Sequence, residues 1–179
     1  DKEYESTLQE WEYGLERQKR EVKELLSRKK ELPDSTPVII AGDFNSAPGS
    51  GVIRKMQLSG KLFHTFVKQT NGYPYTWDPD HNRNTEYWLD ISEKNGKKPD
   101  VYSELSSDYD RKPKTIDYIF LNGCFSPIDI EETKIVMDSL AAGVHPSDHF
   151  GVLSEINIEN VLQCSPKETD KVKKLSHSI

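Results

Sequence analysis

Between residues 4 and 30, apolar side chains return at intervals of three, four or seven: Tyr4, Leu8, Trp11, Leu15, Val22, Leu25 and Leu26. Glutamate, lysine, arginine and glutamine fill the gaps, so the pattern predicts one long amphipathic helix whose stripe covers a core. Gln18 interrupts that stripe, and the repeat is short for a coiled coil. Gly14 weakens the middle of the helix by up to about 1 kcal/mol relative to alanine, and Pro33 ends it. The rhythm then changes. "VIIAG" (38–42) is short and continuously apolar, which predicts a strand buried on both faces. The turn-rich "NSAPGSG" (45–51) follows. Ile53, Met56 and Leu62 then mark a short helix, and residues 63–67 fit a strand or a connector.

Residues 78–114 are the most polar stretch, too long for an ordinary connection in a compact domain and therefore functional or mobile in expectation. Next, "TIDYIFLN" (115–122) sets Ile116, Tyr118 and Phe120 against Asp117 and Ile119, the alternation of a strand. Residues 127–137 supply another strand. In 149–158, Phe150, Val152, Ser154, Ile156 and Ile158 share one face of a final strand. Past Glu159 the chain turns lysine- and serine-rich, the composition of a fraying end. The expected division is one domain over 1–159 and a polar tail over 160–179.

Composition narrows the function. The 179 residues are 34% hydrophobic and 30% charged, with a formal net charge of −6. That balance argues against a surface that coats nucleic acid, because such surfaces are basic. It permits an enzyme that grips one phosphate through a bound cation. The two cysteines, Cys124 and Cys164, have no metal-site or framework spacing and read as unpaired thiols. No apolar run reaches the roughly 20 residues of a membrane-crossing helix.

Polar residues stand where the apolar runs begin or end. Asp43 and Asn45 follow the strand at 38–41, Asp117 lies in the strand at 115–122, and Asp148 and His149 open the last strand. A carboxylate in an Ile/Tyr/Phe strand is costly unless it is paired. Asp117 therefore either faces solvent on an edge strand or holds an imidazole in one tautomer and favours its charged form. Taken singly, a histidine placed like His149 is more often a satisfied surface or capping residue, and Asp148 also fits an Asx turn. Together the groups match the needs of phosphodiester hydrolysis. A carboxylate holds a divalent cation (Asp148), a base takes a proton from water (Asp43), and donors meet the charge growing on phosphorus (Asn45 and His149).

The segments "GDFN" (42–45), "TIDYIF" (115–120) and "SDHFGV" (147–152), in that order, resemble the endonuclease/exonuclease/phosphatase superfamily of DNase I-like phosphodiesterases. "YTWDPDHN" (75–82) is similar to a Thr-Trp-Asp…Asn segment of neutral sphingomyelinases and 5′-tyrosyl-DNA phosphodiesterases. "HPSDHFGVL" leans towards the latter. The resemblance implies that Asp43 orients or deprotonates the attacking water and that Asn45 donates to a phosphate oxygen. It implies that Asp117 pairs with His149, that His149 contacts the scissile phosphate, and that Asp148 sits at a Mg²⁺ (or Mn²⁺) site. Trp77 and Asn82 would line the groove for a phosphodiester substrate, either a phospholipid such as sphingomyelin or a nucleic-acid end.

The implied fold is α/β (α+β), half of a four-layer α/β/β/α sandwich of the DNase I-like type. The family's first half carries a glutamate metal ligand and a Thr-His-Leu-type strand, and neither is in this chain. The expectation is a C-terminal portion of the domain, with marginal stability, weak metal binding and poor activity by itself. A reading from another class is a non-catalytic interaction module that uses the helix at 4–30, for which Leu8 and Leu15 matter and Asp43 and His149 do not.

Overall fold

The computed structural model describes residues 2–70, 72–85, 112–159 and 161, with the side chains of the first helix described from Tyr13 onward. In chain order the elements are α1 (Lys2–Lys30), β1 (Ile39–Asp43), α2 (Gly51–Leu58), β2 (Leu62–His64), β3 (Asp117–Asn122), β4 (Ile130–Val136) and β5 (Gly151–Ile156). Short 3₁₀ turns lie at Thr65–Lys68, Arg83–Thr85 and Pro127–Asp129. Two antiparallel sheets result, one ordered β1-β3-β2 and the other β4-β5. This mixed helix-and-sheet architecture is the expected class. Residues 63–67 resolve into the end of a strand and the start of a 3₁₀ turn. Most of the polar stretch 78–114, and the tail apart from Val161, lie outside the described residues.

α1 packs as its apolar spacing predicts: Val22 and Leu26 are buried and Leu25 lies partly buried beside them. They meet Val52, Ile53 and Met56 of α2, Leu62 of β2, and Tyr118 and Phe120 of β3. α2 begins where Ser50 accepts a hydrogen bond from the Ile53 N–H at 3.3 Å, an N-cap that satisfies one free helix donor. Gly60, just past the end of α2, packs tightly against Met56 and Leu26. A Cβ there would collide with the Met56 carbonyl and come within 2.7 Å of Leu26 Cδ2. A second cluster gathers Leu121, Phe125, Ile130 and Val161.

Two expectations are corrected. β1 is not buried on both faces: Ile39 is 54% exposed and Ala41 to Asp43 are exposed. Among the described residues β1 is an edge strand paired only with β3, and an apolar run records that a strand wants cover, not that cover is present. Cys124 is disulfide-bonded, so the reading of unpaired thiols fails. Spacing along the chain does not report proximity in space, and Cys164 lies outside the described residues. The alternation predicted for the last strand holds as far as Ile156, but Ile158 is 57% exposed.

His64 closes β2 opposite Phe120 and is buried among Phe66, Tyr73, Tyr118 and Phe120. Among the described residues its Nδ1 has no hydrogen-bond partner, and burial pushes its pKa down. Two measurements follow. Gly60→Ala should lower unfolding free energy by about 1–3 kcal/mol in a denaturant titration, as overpacking does. For His64 the unfolded chain takes up the proton first, so stability is lost as pH falls through the unfolded value of about 6.5. His64→Leu should remove that loss, which cannot exceed about 1.4 kcal/mol per pH unit for one group, when melts at pH 7.5 and 5.5 are compared with the unsubstituted protein.

Candidate active site

The register of β1 against β3 builds the site. Ile39 faces Leu121, Ala41 faces Ile119, and at the end of the ladder Asp43 faces Asp117. β2 flanks β3 only at residues 120–122, but the Asp117 side chain is 19% exposed and paired rather than solvent-facing. The turn before β5 brings His149 to the same end, where its Nδ1 lies 2.8 Å from Asp117 Oδ2. One ligand atom from each of Asp43, Asp117 and His149 can be chosen so that all three lie within 4.8 Å of one another.

Asn45 braces Asp43. Its backbone N–H donates to Oδ1 at 2.7 Å and its side-chain Nδ2 donates to Oδ2 at 2.8 Å. This wrap requires φ of +46° at Asn45, a left-handed conformation that asparagine tolerates better than most residues. From α1, Gln18 Nε2 donates to the Asn45 carbonyl at 3.3 Å. Phe44, between Asp43 and Asn45, sets its ring edge-on to Tyr118 and Phe120 and so anchors the loop in the core.

The charges shape one another. The hydrogen bond to Asp117 raises the His149 pKa above its ordinary value, burial opposes the rise, and the charges of Asp117, Asp43 and Asp148 add to it. Desolvation raises the Asp43 carboxyl, the Asn45 N–H opposes this, and the charge of Asp117 adds to the rise. Asp43 is exposed as a residue, so solvent screens this effect. Asp148 acts on both groups through its charge, and its Oδ1 accepts from the Ser147 hydroxyl at 3.2 Å. It is not part of the three-residue cluster.

Trp77 stands edge-on to His149 with ring centroids 5.1 Å apart, and Lys114 Nζ lies 5.8 Å from the centre of the Trp77 ring. Asn82 does not face the groove. It is fully buried, its Nδ2 donates to the Ser147 carbonyl at 2.9 Å, and its Oδ1 accepts from the Asn84 N–H at 3.1 Å. Asn84 Nδ2 in turn donates to the His145 carbonyl at 2.7 Å. Residues 82–84 therefore clamp the turn that carries Asp148 and His149.

Gln18, Asn84 and Thr76 are the supporting residues that the pattern of polar strand ends does not single out. Gln18 left a trace as the polar residue breaking an apolar stripe, and Thr76 as the threonine of the Thr-Trp-Asp…Asn segment.

Asp117→Asn should bring the His149 pKa down towards about 6.5, read by NMR titration of the ring protons. Because the folded value is raised, the pair's contribution to stability is full below about pH 6.5 and is lost as pH rises through the folded value. The stability gap between the protein and Asp117→Asn should narrow in that direction.

The Endonuclease/Exonuclease/phosphatase family model matches residues 7–149, a span that holds most of α1 and the site from Asp43 to His149. Mouse (Mus musculus) tyrosyl-DNA phosphodiesterase 2 is 28% identical over 141 residues, covering 78% of this chain and 32% of that protein. The chain thus spans about a third of that relative's length. The helices and antiparallel sheets described above are a partial DNase I-like α/β fold, and the chain belongs to the Endonuclease/Exonuclease/phosphatase family.

Proposed function

We propose that this chain is part of a divalent-metal-dependent phosphodiesterase acting on a nucleic-acid end, with tyrosyl-linked DNA as the leading substrate. The convergence of Asp43, Asp117 and His149 within 4.8 Å carries this reading. The likeness to mouse tyrosyl-DNA phosphodiesterase 2 and the run Pro146-Ser147-Asp148-His149 favour a nucleic-acid end over a phospholipid such as sphingomyelin.

In this reading Asp43 takes a proton from the attacking water, since a carboxylate braced by two N–H donors still has lone pairs free. Asn45 spends one amide hydrogen on Asp43 and offers the other to a phosphate oxygen. Asp117 holds His149 by Nδ1, leaving Nε2–H of the charged ring to donate to the phosphate as negative charge grows there. Trp77, beside that ring, lines the groove. The donor set suits a hard cation: Asp43 and Asp117 present carboxylate oxygens at one sheet end, with Asp148 nearby in charge, and oxygen ligands are what Mg²⁺ or Mn²⁺ takes. When bound, the cation supplies positive charge against the phosphate oxygens. Residues 1–159 are read as the C-terminal portion of the catalytic domain and 160–179 as a polar tail, with a further acidic ligand coming from outside this chain.

The test compares cleavage of a 5′-phosphotyrosyl oligonucleotide with release of phosphocholine from sphingomyelin. Both are run with Mg²⁺ and with Mn²⁺, on this chain and on a version joined to the first half of a relative's domain. The joined version should cleave the oligonucleotide, lose activity in EDTA, and fall by about 100-fold or more in Asp43→Asn and His149→Ala. Turnover by the 179-residue chain close to that of the joined version would contradict the incomplete reading. Unchanged activity in both variants would contradict the site.

A further inference from the structure

Thr76 is fully buried and bonds through its hydroxyl and its backbone to two segments, 114–117 and the start of the last strand. Its Oγ1 accepts from the N–H of Ile116 at 3.0 Å and of Asp117 at 3.2 Å. Its own N–H donates to the Lys114 carbonyl at 3.0 Å, and its carbonyl accepts from the Phe150 N–H at 2.7 Å. The hydroxyl therefore grips the backbone of Asp117 itself, while the carbonyl grips the residue next to His149. These are the two partners of the 2.8 Å pair at the centre of the site.

We propose that Thr76 is the positioning residue that sets the Asp117–His149 pair. The reasoning is geometric. Asp117 is the first residue of β3 and lies at the last rung of the β1 ladder, so ladder hydrogen bonds hold it from one side only. The backbone ahead of it is held by Thr76 and by the Phe44 N–H, which donates to the Ile116 carbonyl at 2.9 Å. His149 precedes β5 and likewise lies outside its ladder. Neither partner is fixed by its own strand alone, and Thr76 binds the backbone of one and the neighbour of the other. A hydroxyl with two lone pairs can accept both N–H groups at once. Valine has nearly the same shape but accepts neither.

The functional meaning of this role rests on the phosphodiesterase reading, but its test does not need turnover. In ¹⁵N-labelled full chain, the low-field His149 ring N–H signal and the amide signals of Asp117 and Phe150 are compared among the unsubstituted protein, Thr76→Val and Thr76→Ser. Thr76→Val should lose the ring signal and shift both amides, while the amides of Ile53, Met56 and Leu62 in the distant core stay in place. Thr76→Ser, which keeps the acceptor, should keep the ring signal. A folded Thr76→Val with the ring signal and both amides unchanged would overturn the proposal. If the valine variant does not fold, the serine variant decides: retention of the ring signal supports the proposal, and its loss in folded protein overturns it. A ring signal that depends on Thr76 in a protein without phosphodiesterase activity would refute the functional reading and leave the positioning role standing.

Discussion

Two carboxylates face each other at the end of an antiparallel ladder. The register that seats Ile39 opposite Leu121 and Ala41 opposite Ile119 leaves Asp43 opposite Asp117, and like charges directly across a strand pair are unfavourable. The fold tolerates this because positive charge and hydrogen-bond donors converge on the pair. His149 gives its Nδ1–H to Asp117, and Asn45 gives two N–H groups to Asp43. The remaining excess of negative charge, increased by Asp148, is what the proposed reading assigns to a divalent cation.

Around that constraint lies a set of polar side chains bonded to the turn backbone. Asn82 and Asn84 bind the carbonyls of Ser147 and His145, and His145 Nε2 lies 3.0 Å from the His81 carbonyl. The Tyr118 hydroxyl lies 2.9 Å from the carbonyls of both Ser46 and Thr115 and links the loop after β1 to the start of β3. Side chains on the strands carry two of the central groups, and irregular turns carry the rest. A site built on turns keeps its geometry only where such bonds saturate the turn backbone, which explains the density of buried asparagine and threonine here.

Much of the architecture is readable before any coordinates. The spacing of Val22, Leu25 and Leu26 gives the packed face of α1, and the alternation around Tyr118 and Phe120 gives β3. The cost of a carboxylate beside Ile116 and Tyr118 is enough to send a reader looking for a histidine. Other features were not legible for physical reasons. Pairing register is a property of two strands together, so the opposition of Asp43 and Asp117 is invisible in either segment. Apolarity predicts a need for burial rather than its fulfilment, and β1 shows the difference. The place of Asn82 in the Thr-Trp-Asp…Asn segment points to the groove, but amides serve buried backbone equally well, and only contacts separate the two uses.

The most direct test of the account is a double-mutant cycle on unfolding free energy at pH 6, with Asp117→Ala, His149→Ala and the combined variant. A half-buried hydrogen bond between oppositely charged groups predicts a coupling of about 1 kcal/mol or more. Strictly additive single substitutions would contradict it, because the two groups on which the site depends would then not be interacting.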